Sequence, residues 1–365
     1  MIHQLIASLY NPKVTMPSDE RFYTEALKDI NNDSVFSQLY FLMKQRDVLE
    51  QTPLFFQKKL KMHYQTALYQ NIFIKKQIEL LFDLFEEAGI ETIPLKGVYF
   101  AEDYFGHIGA RATTDIDLLI RKKDIQQAVH AVKKLGFDLE EEPIPSHFHV
   151  SFSKMIPGSP YPLTVEIHWD ILKETTADLQ IEEFWKEARP LSSYGKVKAL
   201  SDYHTFYMIC LHGWRHNLDS PKYYLDIIQM IDILKGNLPY ERLFQDAKRH
   251  QTVKRMSRTL SLVYEKYPML TDIAPLGAYI APKKKQGQKQ GSRFSSYTQF
   301  IGYQFFSYDT IRHSSVELKL WLLPTRRDLL SQVNQDPKRF SYLSLLSRLY
   351  KKRCLSAVKV LISIF

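Results

Sequence analysis

The chain has 365 residues, of which 45% are hydrophobic and 24% are charged, so it is long enough for two or three domains and has the composition of a soluble globular protein. No stretch reaches the roughly 20 apolar residues of a membrane-spanning helix, and no amino-terminal segment has the pattern of a signal peptide, which argues against an integral membrane or secreted protein. The formal net charge of +9 favours anionic partners such as nucleotides and phosphorylated molecules.

The distribution of apolar residues predicts three regions along the chain. Residues 1–88 are predicted to be helical, and Pro53 is suited to the first turn of a long helix that runs toward Glu87. Residues 89–172 combine strand and helix patterns and form the predicted α/β core. Residues 173–365 return to helical spacing. The predicted fold class is therefore α+β and mostly helical, with a small mixed-sheet core flanked by N- and C-terminal helical regions.

The core begins with a strand, a glycine turn and a helix within residues 92–105. Gly97 follows a short apolar strand candidate and precedes a run that is typical of a helix. Free backbone N–H groups at the start of a helix point outward and can bind an anion. Lys96 adds a positive charge beside the same turn. The sequence therefore predicts a phosphate-binding turn at Lys96 and Gly97.

Two aspartates lie inside the otherwise apolar run 114–120. On a strand, Asp115 and Asp117 project from the same face, where two like charges repel each other. A divalent cation between the oxygens removes this cost, and Mg²⁺ takes carboxylate ligands together with substrate phosphates. The alternative is a solvent-exposed strand with alternating acids, but apolar residues on both faces favour a buried strand. We therefore predict a metal site here.

A third acid lies on a later strand candidate, residues 163–169. Glu166 can approach the aspartates if the two strands are neighbours in one sheet. Asp170 has the same strand parity and is the alternative third acid. His168 shares a face with Glu166, so it is predicted either to orient that carboxylate or meet an acceptor, or to be an ordinary core histidine.

An alternating segment, residues 147–152, is predicted to form a further strand that pairs with 163–169. Its histidines, His147 and His149, are open to two interpretations, because they can line the cleft or face water. The prediction adopted for both is that they face water.

Two histidines in a later predicted helix are also candidates for the cleft. His212 and His216 are four residues apart and share one helix face, a spacing that can bind zinc. Gly213 occupies the position of the glutamate in a His-Glu-x-x-His metalloprotease, so a structural role with His212 facing the cleft is preferred. Asp226 is a candidate partner for one of these histidines.

The order of these motifs resembles that of the nucleotidyltransferase superfamily that includes DNA polymerase beta. The lysine before Gly97 and the valine after it depart from the usual turn, and both departures resemble a bacterial branch called uncharacterised nucleotidyltransferases. In that branch a Lys-Gly turn, an arginine before Asp-Ile-Asp-Leu-Leu, and Glu-x-His-Trp recur. The matching residues here are Lys96-Gly97, Arg111, Asp115-Ile116-Asp117-Leu118-Leu119 and Glu166-Ile167-His168-Trp169.

The resemblance implies a nucleotidyltransferase core at 89–172 and a magnesium-dependent reaction. A nucleoside monophosphate is moved from a nucleoside triphosphate, such as ATP, to an unidentified acceptor. The implied ligands of two Mg²⁺ ions are Asp115, Asp117 and Glu166. The implied nucleotide-binding residues are Lys96, Gly97, Arg111, His168 and His212.

The sequence motifs give little information about the identity of the acceptor. A small molecule, a sugar phosphate or a peptide all remain open, in a bacterial setting of peptide modification or polysaccharide assembly. Nucleic acid is not expected as the acceptor, because no recognisable nucleic-acid-binding module accompanies the core. Two alternatives stay open, namely the same fold transferring a phosphoryl or glycosyl-phosphoryl group, and a catalytically silent nucleotide-binding or docking protein.

Three features outside the core bear on location. Residues 282–293 are basic and glycine-broken, which predicts a surface loop. Residues 357–365 are apolar and follow a basic cluster, which predicts a helix docked on the body or, as the alternative, a peripheral contact with a membrane. Cys210 and Cys354 are too few for a disulfide framework, so a cytoplasmic protein is expected.

Overall fold

The computed structural model describes residues 1–28, 34–140, 147–191, 194–279, 302–326, 329 and 341–362. The described part is mostly helical around one small mixed sheet, which confirms the predicted α+β class. The basic segment 282–293 lies outside the described residues.

Helices precede the sheet in the chain. They are α1 (Ile2–Tyr10), α2 (Glu20–Lys28), α3 (Ser34–Gln45) and α4 (Leu54–Glu87). Pro53 is the residue before the first turn of α4, in an extended conformation, because its fixed φ and missing N–H suit a helix start. Gly89 ends this helix with a positive φ of +69°. The predicted long helix is therefore confirmed.

The main sheet has five strands in the order β1-β2-β5-β4-β3. They are β1 (Thr92–Pro94), β2 (Asp115–Ile120), β3 (Asp138–Leu139), β4 (His149–Lys154) and β5 (Leu163–His168). The pair β2 and β5 is parallel, and the other pairs are antiparallel. The predicted neighbourhood of the Asp-x-Asp strand and the Glu166 strand is confirmed, as is the pairing of β4 with β5.

The two faces of this sheet pack on different layers. Ile116 and Leu118 of β2 and Val165 of β5 belong to an apolar core with α4 and with α6 (Ile125–Lys134). Leu119 points the other way and belongs to the larger helical core. Because side chains alternate along a strand, the acidic positions of β2 and β5 share the face of Leu119.

Between β1 and β2 the chain forms α5 (Gly97–Phe100) and then a π-helical turn, Ala101–Phe105. The helices after β5 include α7 (Ile181–Lys186), α8 (Asp202–Arg215), α9 (Pro221–Leu234), α10 (Tyr240–Arg249), α11 (Val253–Lys266), α12 (Leu270–Ile273), α13 (Ile311–Leu322) and α14 (Tyr342–Ile362). A short pair of strands, β6 (Arg189–Pro190) and β7 (Lys198–Ala199), lies between α7 and α8.

The early and late helices share one core. Leu5 of α1, Leu39 of α3 and Ile228 of α9 are all fully buried in it. Gln229 of α9 accepts a hydrogen bond from Tyr10 and donates one to the backbone oxygen of Tyr104 at 2.8 Å. The late helices therefore cover the acidic face of the sheet and tie it to the start of the chain.

Within the residues that the structure describes, no helix combines the length and the apolar character needed to cross a membrane. Cys210 is buried in α8, Cys354 is exposed in α14, and both are free thiols.

Candidate functional site

The sheet brings two of the predicted acids side by side. Asp117 on β2 and Glu166 on the parallel strand β5 are direct partners in the strand register. Asp115 lies two residues earlier on β2 and therefore projects from the same face. Asp117 is buried, while Asp115 and Glu166 are partly buried. The three carboxylates thus form one acidic group under the late helices.

His168 joins two of these carboxylates. Its Nε2 lies 3.1 Å from Asp117 Oδ1 and 3.0 Å from Glu166 Oε2. Burial disfavours the charged imidazolium, but hydrogen bonds to both carboxylates outweigh burial and raise the pKa of His168. The imidazole therefore links Asp117 to Glu166. This geometry agrees with the prediction that His168 orients the Glu166 carboxylate.

Lys96 approaches the same group from the turn after β1. Its Nζ lies 2.8 Å from Asp117 Oδ2 and 3.4 Å from His212 Nε2. Burial opposes ionisation, but the Lys96 ammonium and the His168 imidazole hold the pKa of Asp117 well below its usual value. Burial and the nearby Asp117, by contrast, raise the pKa of Asp115. The two aspartates therefore differ in acidity, since the pKa of Asp117 is lowered and the pKa of Asp115 is raised.

Gly97 makes this approach of Lys96 possible. Its φ of +71° lies in the left-handed region, which favours glycine over residues with a Cβ. A Cβ built at this position would lie 3.1 Å from Thr113 Cγ2, just ahead of β2. The turn therefore packs closely against the segment that leads into the Asp-x-Asp strand. The structure brings Lys96, Gly97 and His212 together with the acids.

Arg111 is paired with Asp226 instead of with the three acids. Its Nε donates to Asp226 Oδ1 at 2.9 Å and its Nη2 donates to Asp226 Oδ2 at 2.9 Å. Both side chains are almost fully buried, at 4% and 1% exposure, and Gln38 donates a further hydrogen bond to Asp226 at 2.8 Å. The predicted pairing of Asp226 with a histidine is wrong, because Arg111 and Gln38 satisfy this carboxylate. Contact between Arg111 and a phosphate stays a prediction.

The alternative third acid, Asp170, lies beyond the end of β5. Its Oδ1 accepts hydrogen bonds from the backbone N–H groups of Ile171 and Leu172, at 2.7 and 3.2 Å. Burial raises the pKa of Asp170 to about 6. Asp170 therefore stabilises a turn, whereas His168 links Glu166 to Asp117.

His149 is a site residue that the sequence interpretation placed wrongly. It was predicted to face water, but its side chain is only 10% exposed and its Nε2 lies 3.9 Å from Glu166 Oε2. Burial and the neighbouring His168 lower the pKa of His149 to about 3, so this imidazole is neutral at pH 7. The missed signal is the antiparallel register of β4 and β5, which places His149 opposite His168 on one face.

Lys222 is a second residue that the sequence interpretation missed. It lies in the first turn of α9, and its Nζ donates to the backbone oxygen of Ala112 at 3.0 Å. Burial, together with the positive charge of Arg111, lowers the pKa of Lys222 to about 7. The Ser-Pro start of α9 was the available sequence signal, since proline in the first turn fixes where the helix begins.

The donor set at this face fits a divalent cation. Asp115, Asp117 and Glu166 provide carboxylate oxygens, which are the ligands that Mg²⁺ prefers. Ligand atoms of His149, Glu166 and His168 also lie within 4.8 Å of one another. Hard oxygen ligands and imidazole nitrogens are therefore available on the same face of the sheet.

Comparison with known protein families identifies the family of this chain. The model of the uncharacterised nucleotidyltransferase family matches residues 24–267, which is more than half of the chain. The chain belongs to this uncharacterised nucleotidyltransferase family. Its membership confirms the resemblance predicted from the Lys-Gly turn, the Asp-x-Asp strand and the later glutamate, and it assigns nucleotidyl transfer as the general class of activity.

Comparison with solved structures gives a weak likeness. The solution structure of the antibiotic-resistance factor ANT(2'')-Ia is 14% identical in sequence, with a TM-score of 0.32. The match covers 53% of this chain and 93% of that chain. Among curated proteins, no relative matches the chain.

Proposed function

We propose that the chain is a magnesium-dependent nucleotidyltransferase that moves a nucleoside monophosphate from a nucleoside triphosphate, such as ATP, to a small-molecule, sugar-phosphate or peptide acceptor. The observation that carries this proposal is the register of β2 and β5, which sets Asp117 beside Glu166, with Asp115 on the same face. Family membership supports the general reaction.

The three carboxylates are the proposed metal ligands. Two magnesium ions held by Asp115, Asp117 and Glu166 would neutralise phosphate charge and favour displacement at the α-phosphorus. The carboxylate oxygens fit this requirement, because hard divalent cations prefer such ligands. His168 keeps Asp117 and Glu166 adjacent through one ring nitrogen.

The proposed triphosphate site lies at the glycine turn. Lys96 is positioned between Asp117 and His212, so its ammonium can donate to a phosphate oxygen beside the carboxylates. The Gly97 turn presents backbone N–H groups, and Lys222, with its pKa lowered to about 7, adds a positive charge near Asp115 when it is protonated. Arg111 stays in its buried ion pair with Asp226, and that carboxylate offsets the charge that Arg111 would otherwise offer a phosphate.

In the proposed reaction, the acceptor hydroxyl attacks the α-phosphorus. The new O–P bond forms as the bond to the leaving pyrophosphate breaks, and Glu166 accepts the hydroxyl proton. Burial raises the pKa of Glu166, but the His168 hydrogen bond outweighs it, so the pKa is lowered and the group is a carboxylate at neutral pH. Glu166 is therefore in the protonation state that a general base requires.

The proposal is tested by mass spectrometry. The full chain is incubated with Mg²⁺, each of the four nucleoside triphosphates and a panel of candidate acceptors. We expect a product heavier than its acceptor by one nucleoside monophosphate, with release of pyrophosphate. A gain of phosphate alone, with release of a nucleoside diphosphate, contradicts the proposal. Metal-dependent nucleotide binding without any product indicates a silent binding protein instead.

Replacing Lys96 by methionine is expected to raise the KM for the nucleoside triphosphate by about tenfold, because a charge-assisted hydrogen bond to phosphate is lost. Steady-state kinetics at saturating acceptor measure this change. The matched control is Lys122→Met, since Lys122 is 69% exposed and forms its ion pair with Glu174 instead of with one of the three acids. An unchanged KM in the Lys96 variant would remove this residue from the triphosphate site.

A further inference from the structure

A second cavity lies beside the pocket that His168 and Lys96 line at the acidic site. A small pocket of about 40 Å³ at the site is lined by Lys96, His168 and His212, among others. A larger cavity of about 240 Å³ lies next to it. The two share Phe148, Leu172 and Arg215 as walls, so they are adjacent compartments of one cleft.

The larger cavity is rich in hydrogen-bond donors. Arg255 on its wall is fully buried, and its Nη2 donates to the backbone oxygens of Thr176 and Gln251, at 2.6 and 2.9 Å. Among the described residues, Arg255 Nε and Nη1 have no hydrogen-bond partner, nor has the buried indole Nε1 of Trp214. Buried donors without acceptors cost free energy, so a ligand with acceptor oxygens would relieve that cost.

The charge of the cavity wall points to an anion. Arg215, Arg255 and Lys173 line the cavity and carry positive charge, and Glu317 is the acidic residue among its described lining. Lys173 Nζ lies 3.8 Å from Glu317 Oε1, so these two charges offset each other. The charge of the two arginines remains. An oxyanion brings both the negative charge and the acceptor oxygens that this wall lacks.

Aromatic rings form a large part of the remaining wall. The Arg255 guanidinium carbon lies 5.2 Å from the ring centre of Trp214 and 5.3 Å from that of Tyr308. Arg215 lies over Phe148 in the same way, at 5.0 Å. Flat or apolar bodies pack well on such walls, and the cavity volume limits the ligand to a small molecule or to one end of a larger one.

We propose that this cavity is the acceptor site, and that the acceptor carries an oxyanionic group, either a carboxylate or a phosphate, which accepts hydrogen bonds from Arg255 and Trp214. This inference rests on the proposed nucleotidyl transfer and narrows its acceptor class. A nucleobase is the competing occupant of an aromatic cavity. Bases of nucleoside triphosphates are uncharged, so they leave the positive charge of Arg215 and Arg255 without compensation.

The test measures binding by calorimetry to the full chain, without nucleotide. The anionic probes are glucose 1-phosphate and 4-hydroxybenzoate, which separate a phosphate from a carboxylate, and the reference probes are glucose and glucosamine. We expect an anionic probe to bind more tightly than both references. Trp214→Phe and Arg255→Lys should each weaken that binding by about tenfold, since each removes a donor. Arg258→Lys, three residues further along α11 and outside the cavity lining, is the matched control.

Equal binding of the anions to the parent chain and to Trp214→Phe overturns the proposal, and so does binding of the anions no tighter than glucose. If Arg255→Lys fails to fold by circular dichroism, Trp214→Phe decides alone. A separate titration with ATP covers the competing occupant, because weaker binding of ATP but not of the anions in Trp214→Phe would assign the cavity to the nucleobase and overturn the proposal.

These outcomes separate this inference from the proposed function, because binding needs no turnover. Anion binding that depends on Trp214, combined with no nucleotidyl transfer to any acceptor, supports the cavity assignment and contradicts the function. Transfer to a neutral acceptor at the same rate in Trp214→Phe and the parent chain contradicts the cavity assignment and leaves the function standing.

Discussion

Replacing Asp115 and Asp117 together by asparagine is expected to lower kcat by at least about 10³-fold, because the neutral amides no longer supply the negative charge that holds divalent cations. The substitution keeps the shape of both side chains, so β2 should keep its place between β1 and β5. Pyrophosphate release measures the rate, and circular dichroism and thermal melting report whether the fold is retained.

The matched control for this double variant is Asp170→Asn. Asp170 is another buried carboxylate close to the end of β5, but it accepts hydrogen bonds from a backbone turn instead of facing the acids. An amide oxygen can replace it there, so activity should remain close to that of the parent chain. Full activity of the double variant would show that the metal assignment is wrong, whereas loss of activity in both variants would point to a general disturbance of the sheet.

Replacing Asp226 by alanine is expected to lower the free energy of unfolding by about 3–5 kcal/mol, because the Arg111 guanidinium would remain buried without its partner. Both side chains of this pair are nearly inaccessible to solvent, and Arg111 makes three hydrogen bonds to the carboxylate. Urea denaturation followed by circular dichroism measures the change.

Two comparison variants show whether the buried charge causes the loss. Glu174→Ala removes an exposed ion pair with Lys122 and should cost less than about 1 kcal/mol. The double variant Arg111→Met with Asp226→Leu removes both buried charges and should recover much of the stability, as found for buried pairs replaced by apolar residues. An Asp226→Ala variant as stable as Glu174→Ala would contradict the inference.

Local patterns were sufficient to predict the acids and the elements that carry them. The alternation of side chains on a strand placed Asp115 and Asp117 on one face, and proline placement fixed the start of α4. The pairing of β4 with β5 could be predicted, but the residue-by-residue register and the side-chain partners of distant segments are not encoded in such local periods. Local patterns therefore predict a histidine partner for Asp226, which instead accepts hydrogen bonds from Arg111. They also predict a solvent-facing His149, whereas the register of β4 with β5 sets it opposite His168.

The donor-rich cavity was beyond the reach of sequence patterns for the same reason. Trp214 and Arg255 belong to different helices, and Tyr308 comes from a third segment. Each of them alone is typical of ordinary core packing. Their meeting depends on how the late helices stack over the sheet, which is a property of tertiary structure and not of any single segment.

The covering of the acidic face by late helices has a consequence for the order of events during protein synthesis. The last strand of the sheet ends at His168, but Asp226, which satisfies Arg111, is made 58 residues later in the chain (226 − 168). A nascent chain that stops at the sheet therefore lacks the late helices of the larger core and leaves Arg111 without Asp226. Contacts between such distant segments slow folding and expose apolar surface meanwhile. The acidic strands alone are consequently a poor choice for an excised minimal enzyme.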